Sequence, residues 1–405
     1  MDLLAEPKLK PVFRRRVFYI PGYDPFHPRR YRELYRRHAT AQSEISGYAL
    51  TLKPKVSRGP YGWHVSGVME GGFAEADVEV LVWSDIVRQT MGKGVVSTYL
   101  QLLATVRAYV ATGALFRLMR LRRGPVLAAL YPIAMLLAQL AIAVGFGLHL
   151  AGILGAVWPP LGWLAGGGLA AAILQAFRSR DAAFFAYYLM HDYGHVARTL
   201  GASAPEMDER LARFRAAVAE AMRGPFDEVL VVGHSSGAHL AVSILADLIR
   251  QGLPERRPAL ALLTLGQVVP MVSFLPRAHR LRADLHYLSA RDELTWVDVT
   301  APGDACAFAL CDPVSVSGVA PPGKLWPLVI SAAFTQTLSP ERWKAMRWRF
   351  FRLHFQYLCA FDRPGDYDYF RITAGPQTLA ARYRGRAPSK SRIDRAVSGY
   401  VTMGA

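Results

Sequence analysis

Ser235 stands in Gly233-His234-Ser235-Ser236-Gly237, a G-x-S-x-G pattern, and no other stretch of the chain is as well suited to covalent chemistry. A serine hydroxyl is a weak nucleophile near neutral pH. It needs a base to take its proton and fixed donors to hold the negative charge that forms on the attacked oxygen. Residues 229–232 are a short, β-branched apolar run of buried-strand length. Residues 238–250 repeat Leu240, Ile244, Leu245 and Leu248 at helical spacing. The serine is therefore predicted on a tight strand-to-helix turn, which strains its backbone and lifts its hydroxyl clear of the sheet. Side chains two residues before and after would collide, and both positions are glycine. The following helix points free N–H groups at the same place, where they can hold an oxyanion.

In this setting the motif resembles the nucleophile elbow of the α/β-hydrolase superfamily, which includes lipases, esterases, thioesterases and acyltransferases. The resemblance covers roughly residues 17–90 and 180–370 and is most specific at the elbow. It implies an α/β fold with a mostly parallel sheet and flanking helices, and a catalytic order of Ser, then Asp or Glu, then His. The N–H of Ser236 would form half of the oxyanion hole. The other half comes from a loop after an early strand, a place matched by Gly22 or Tyr23 in Pro21-Gly22-Tyr23-Asp24-Pro25, although this is not the HGGG form. Among downstream histidines, His239 falls on the elbow helix, His279 in an arginine-rich loop and His286 in a strand pattern. His354, in FFRLHFQYL after a strand candidate at 347–351, takes the place of the base. Asp304 follows a strand candidate at 294–299 and takes the place of the acid, with Asp298 and Asp312 as alternatives. Asp292 and Glu293 precede that strand and are poor candidates. The implied reaction cleaves a carboxylic ester through an acyl-Ser235 intermediate, without metal or cofactor. Acyl transfer on the same fold, or a degenerate hydrolase fold serving as a membrane interaction module, are the alternatives.

The elements that must position these groups are interrupted. Residues 124–177 contain no Asp, Glu, Lys or Arg, and only His149, Gln139 and Gln175 are strongly polar. A membrane helix needs about 20 apolar residues, so this length fits two spans, about 126–148 and 154–177, joined at Trp158-Pro159-Pro160. Arginines flank the stretch on both sides: Arg117, Arg120, Arg122 and Arg123 before, Arg178 and Arg180 after. The positive-inside rule puts both flanks in the cytoplasm, at an inner or plasma membrane. Five regions follow. Residues 1–94 and 178–374 are the two parts of the hydrolase-like domain. Residues 95–123 form a long amphipathic helix, read either at a membrane surface or against the core. The hairpin is 124–177, and 375–405 is a basic peripheral tail. Residues 1–16 read as a basic arm, and no apolar leader precedes 17, so no cleavable signal is expected. Strands are also predicted at 17–20, 48–55, 63–69, 78–83, 260–265 and 284–288, and helices at 29–40, 181–200, 207–222 and 326–337.

Lys and Arg exceed Asp and Glu by 17 in this 405-residue chain. That excess suits anionic headgroups of a lipid bilayer. No nucleic-acid-binding motif accompanies it, so no nucleic-acid partner is expected. A lipid or amphiphilic ester is the substrate expected of a catalytic domain held at such a surface. The three cysteines form no disulfide framework. His191 and His195, at i and i+4 in His191-Asp192-Tyr193-Gly194-His195, lack the glutamate of H-E-x-x-H and a third ligand, so packing rather than metal binding is expected there.

Overall fold

The structure, a computed structural model, describes residues 12–91 and 94–404. The chain begins with β1 (Phe13–Ile20), α1 (Arg29–Ser46), β2 (Ala49–Pro54), β3 (Gly62–Met69), β4 (Gly72–Val80) and α2 (Ser84–Thr90). A helical section follows: α3 (Val95–Ala111), α4 (Ala114–Leu121), α5 (Arg123–Gly155), α6 (Pro159–Ser179), α7 (Asp181–Phe184), α8 (Ala186–Arg198) and α9 (Pro205–Ala221). The chain then returns to the sheet through β5 (Glu228–His234), α10 (Gly237–Arg250), β6 (Ala259–Leu265), α11 (Val269–Ser273), α12 (His279–Ser289) and β7 (Leu294–Thr300). It ends with α13 (Pro313–Val316), β8 (Leu328–Ser331), α14 (Phe334–Thr337), α15 (Pro340–Met346), α16 (Phe350–His354), a 3-10 turn at Gln356–Leu358, α17 (Tyr369–Ala374) and α18 (Leu379–Arg382).

The fold is α/β, with one eight-stranded sheet in the order β2-β3-β4-β1-β5-β6-β7-β8. From β4 to β8 every pairing is parallel; β2 and β3 add an antiparallel edge to β4. Parallel strands need cover on both faces. On one face α9, α10 and α12 bury Val218, Leu245 and Leu285 against Val229, Val231 and Trp296. On the other, α1, α17 and the 3-10 turn pack Tyr35, Phe370 and Tyr357 over Val78, Leu230 and Leu263. The C-terminal ends of β1, β5, β6 and β7 lie level, because Ile20 pairs with Gly233, His234 with Leu265 and Leu265 with Val299. The chain leaves β1 toward β4 on one side and later adds β5 on the other. Such a reversal opens a crevice at the carboxyl ends of the strands.

Between β4 and β5, α5 and α6 are long and apolar enough to cross a membrane. Their backbones meet at small residues: a Cβ on Gly147 would lie 2.7 Å from the Gly166 carbonyl oxygen, and one on Gly162 2.5 Å from that of Ala151. The predicted helix over 95–123 is two helices bent by 72°. The inner face of α3 buries Thr98, Gln101, Leu102 and Thr105, while Val96, Leu100 and Leu103 are exposed on the outer face. The helix thus has both a packed face and an open apolar face.

Several local expectations are corrected. Residues 284–288 are helical, part of α12, because Leu281, Leu285 and Leu288 form one buried stripe at helical spacing. The helix expected over 326–337 is the strand β8 followed by the short α14. The strand candidate at 347–351 runs into helix α16. Residues 1–11 of the predicted arm lie outside the described residues, and Phe13–Ile20 is strand. In the 375–404 segment Leu379 and Tyr383 are buried and Cys311 bridges Ile393, while most of 384–404 is exposed.

Candidate active site

Ser235 follows β5 directly and has a left-handed backbone, φ +58, where glycine is the usual occupant. Its N–H donates to the Leu265 carbonyl at 2.9 Å, which ties the turn to the end of β6. The motif glycines are sterically required. A Cβ on Gly233 would lie 2.7 Å from Ala238 Cα, and one on Gly237 would collide with the Ile20 carbonyl at the end of β1. Gly22 closes the other side, since its added Cβ would sit 2.9 Å from Ser235 Cβ and 3.3 Å from Oγ. Ser235, Gly22 and Tyr23 therefore share one point. Among the described residues the backbone N–H groups of Tyr23 and Ser236 have no hydrogen-bond partner.

The 21–25 loop is fixed from outside. Trp83 Nε1 donates to the Pro21 carbonyl at 2.9 Å, the Tyr188 hydroxyl donates to the Tyr23 carbonyl, and Asp24 accepts from the Phe26 N–H and the Tyr31 hydroxyl. These donors occupy the Pro21 and Tyr23 carbonyls and the Asp24 carboxylate.

Asp304 and His354 come together, although 50 residues separate them: His354 Nδ1 lies 2.7 Å from Asp304 Oδ2. Both are buried. Asp304 Oδ2 also accepts from the Tyr357 hydroxyl at 3.0 Å, and Oδ1 from the Cys306 N–H at 2.8 Å. The Tyr357 hydroxyl in turn accepts from the Ala301 N–H. The ring of His354 packs 4.8 Å from that of His234, next to Ser235, and its Cε1 is 3.1 Å from where a Cβ on Gly266 would stand. Ser235 and His354 line a single open cavity of about 940 Å³ together with Gly22 and Tyr23. The Ser235 hydroxyl makes no hydrogen bond among the described residues. Hydrogen bonds of this kind often tighten only with substrate in place.

The other candidates are placed elsewhere. Asp298 points into the sheet, fully buried, where Thr264 Oγ1 donates to it at 2.6 Å; burial pushes its carboxyl up to about 8. Asp312 caps α13 by accepting from the Val314 and Ser315 N–H groups, and pairs with Lys324 at 2.6 Å. His239 lies on α10 and is held neutral by burial and by His195. His279 is half-buried at the start of α12, where its Nδ1 lies 3.3 Å from the Thr402 carbonyl. His286 is also on α12 and contacts the Val319 carbonyl at 2.9 Å. The two histidines of the 191–195 stretch part company: His191 Nδ1 meets Gln101 Oε1 at 2.7 Å, while His195 packs on Tyr23 and Trp83. Among the described residues, one trio of possible metal donors converges, Asp304, Cys306 and His354. Two of the three already bind each other, and burial holds Cys306 as a thiol.

Three residues join the site that the sequence did not single out. His234 Nε2 lies 3.0 Å from the His354 carbonyl; burial first, then the charge of His354, lowers its pKa to about 3, so it is a neutral donor that positions α16. Tyr357 positions Asp304. Asp192, on α8, lines the cavity, and burial pushes its carboxyl up to about 7 while His354 pulls it back. The spacing His354-x-x-Tyr357 and the histidine inside the elbow were the available signals. No family model, curated protein or solved structure matches the chain significantly, so the reading of this site rests on its geometry alone.

Proposed function

We propose that the chain is a membrane-anchored serine hydrolase of the α/β-hydrolase type, cleaving carboxylic esters of lipid or amphiphilic substrates. The observation that carries this reading is that Ser235, on its left-handed turn, opens on the same cavity as the buried His354–Asp304 pair. In the reaction, Ser235 Oγ attacks the ester carbonyl carbon and His354 Nε2 takes the hydroxyl proton. Asp304 holds Nδ1–H, which fixes the tautomer and stabilises the imidazolium. The amides of Ser236 and of Gly22 or Tyr23 hold the oxyanion. The alkoxide leaves with the proton from His354, and water then cleaves the acyl-serine by the same steps in reverse.

The substrate class follows from the walls and the anchor. Phe26, Leu34, Leu189 and Phe351 line the cavity, which suits an acyl chain. The ends of α5 and α6 nearest the sheet carry Arg122, Arg123, Arg178 and Arg180, and the positive-inside rule then puts the sheet in the cytoplasm. A fluorophosphonate probe tests the reading. Wild-type protein is expected to label and Ser235→Ala to lose labelling completely. Equal labelling of the two, or no labelling of folded wild type, rejects it.

A further inference from the structure

The turn between α15 and α16 exposes two aromatic side chains, Trp348 at 73% and Phe350 at 42%. Single exposed apolar residues are common and need no partner. Three observations separate this turn from that background. The first is charge. Lys344, Arg347, Arg349 and Arg352 flank the two rings along the chain, the Arg347 guanidinium lies 5.6 Å from the Trp348 ring centroid, and none of the four cations has a carboxylate partner among the described residues. The second is position. Phe351 packs on Phe185 with ring centroids 5.2 Å apart, and Phe184 meets Phe177 of α6 at 5.9 Å. These ring contacts place the turn beside the arginine-bearing end of the apolar hairpin. The third is that Met346, Phe351 and Arg352 line the cavity holding Ser235.

We infer that the turn containing Trp348 and Phe350 lies in the headgroup layer of an anionic phospholipid bilayer and holds the mouth of the Ser235 cavity against the lipid. The inference rests on α5 and α6 spanning that bilayer. An indole ring combines an apolar body with one N–H donor and favours the boundary between acyl chains and water. Unpaired arginines beside it find lipid phosphates as counterions, which neutral headgroups with no net charge reward less. Substrate then passes from the bilayer into the cavity along Met346 and Phe351 without crossing bulk water.

Quenching of tryptophan emission by brominated lipid tests this. The full-length protein is placed in nanodiscs of phosphatidylcholine and phosphatidylglycerol, with or without bromine near the headgroup end of the acyl chains. Trp158 and Trp163 of the hairpin are exposed and will also be quenched, so the wild-type spectrum minus that of W348F isolates Trp348. Trp348 is exposed, so W348F leaves the fold intact. The difference emission is expected to drop roughly twofold or more with brominated lipid, as for an interfacial indole. An unquenched difference spectrum overturns the inference. Release of the protein by alkaline carbonate also overturns it, because the hairpin then does not span. Failure of the hydrolase reading appears separately, as absent fluorophosphonate labelling, and leaves the quenching result standing in support.

Discussion

Asp304 and Asp298 are six residues apart and have opposite tasks. Asp304 accepts from His354, Tyr357 and the Cys306 amide, a donor set that fixes the orientation of its side chain. Asp298 has one donor, Thr264, and its second oxygen has no partner, which suits a neutral acid. Burial pushes its carboxyl from the ordinary 3.8 up to about 8. The folded state therefore keeps a proton that the unfolded chain releases, and stability falls as pH rises through the window between those two values. Asp298→Asn keeps an acceptor for Thr264 and removes the titration. Its stability relative to wild type is expected to grow from pH 5 to pH 8, by at most about 1.4 kcal/mol per pH unit. Thermal melts of both proteins at the two pH values check this, and an equal gap at both would mean that Asp298 is ionised throughout.

At the scale of elements, the turn after β1 and the turn after β5 form one structure, because Gly22 faces Ser235 with no room for a methyl group. Gly22→Ala is expected to leave the melting temperature within a few degrees and to slow fluorophosphonate labelling about 10²-fold, the scale of losing one oxyanion donor. Labelling at the wild-type rate would remove the loop from the site. The elbow, β1, the β2–β3 hairpin and the two long apolar helices were legible because each has a strong local period or punctuation: β-branched runs, paired glycines, a stretch without charge. What was hidden depended on partners far away in sequence. Residues 284–288 alternate enough to pass for a strand until Leu281 is seen to share their buried stripe. The β8 strand has only four residues, Leu328–Ser331, too short for its pattern to stand out. His354 looked like the residue after a strand because Phe350 and Phe351 read as β-formers, yet both stand on a helix, with Phe351 packed on Phe185 and Phe350 exposed. Asp304 and His354 were found through chain order, whereas His234 and Tyr357 act on a backbone carbonyl and a carboxylate, contacts that their positions beside the serine and the histidine hint at only once the fold is known.

At the scale of the whole molecule, a buried ion pair locks the ends of the chain together. Arg15 Nε meets Glu228 at 2.6 Å with both side chains almost fully buried. The remaining Arg15 nitrogens donate to the Gly375 carbonyl at 2.8 Å and the Gln377 carbonyl at 2.5 Å, and Glu228 accepts from the Leu379 N–H at 2.6 Å. The polar C-terminal segment thus completes a site inside the sheet. Arg15→Met leaves Glu228 buried without its cation and is expected to cost about 3–5 kcal/mol in denaturant unfolding, with residues 375–405 becoming open to trypsin. Adding Glu228→Leu should restore much of the loss, since an apolar pair needs no charge partner. Unchanged unfolding of Arg15→Met would show that the pair holds nothing. The same 213-residue separation between Arg15 and Glu228 sets a clock for biogenesis. At ordinary rates of translation, about 5–20 residues per second, β1 waits roughly 10–40 s after emerging before β5 can cover its second edge. The two apolar helices leave the ribosome within that wait. The newborn half-sheet must therefore keep Val17, Phe18, Tyr19 and Ile20 from pairing with other chains while the two long apolar helices are being made.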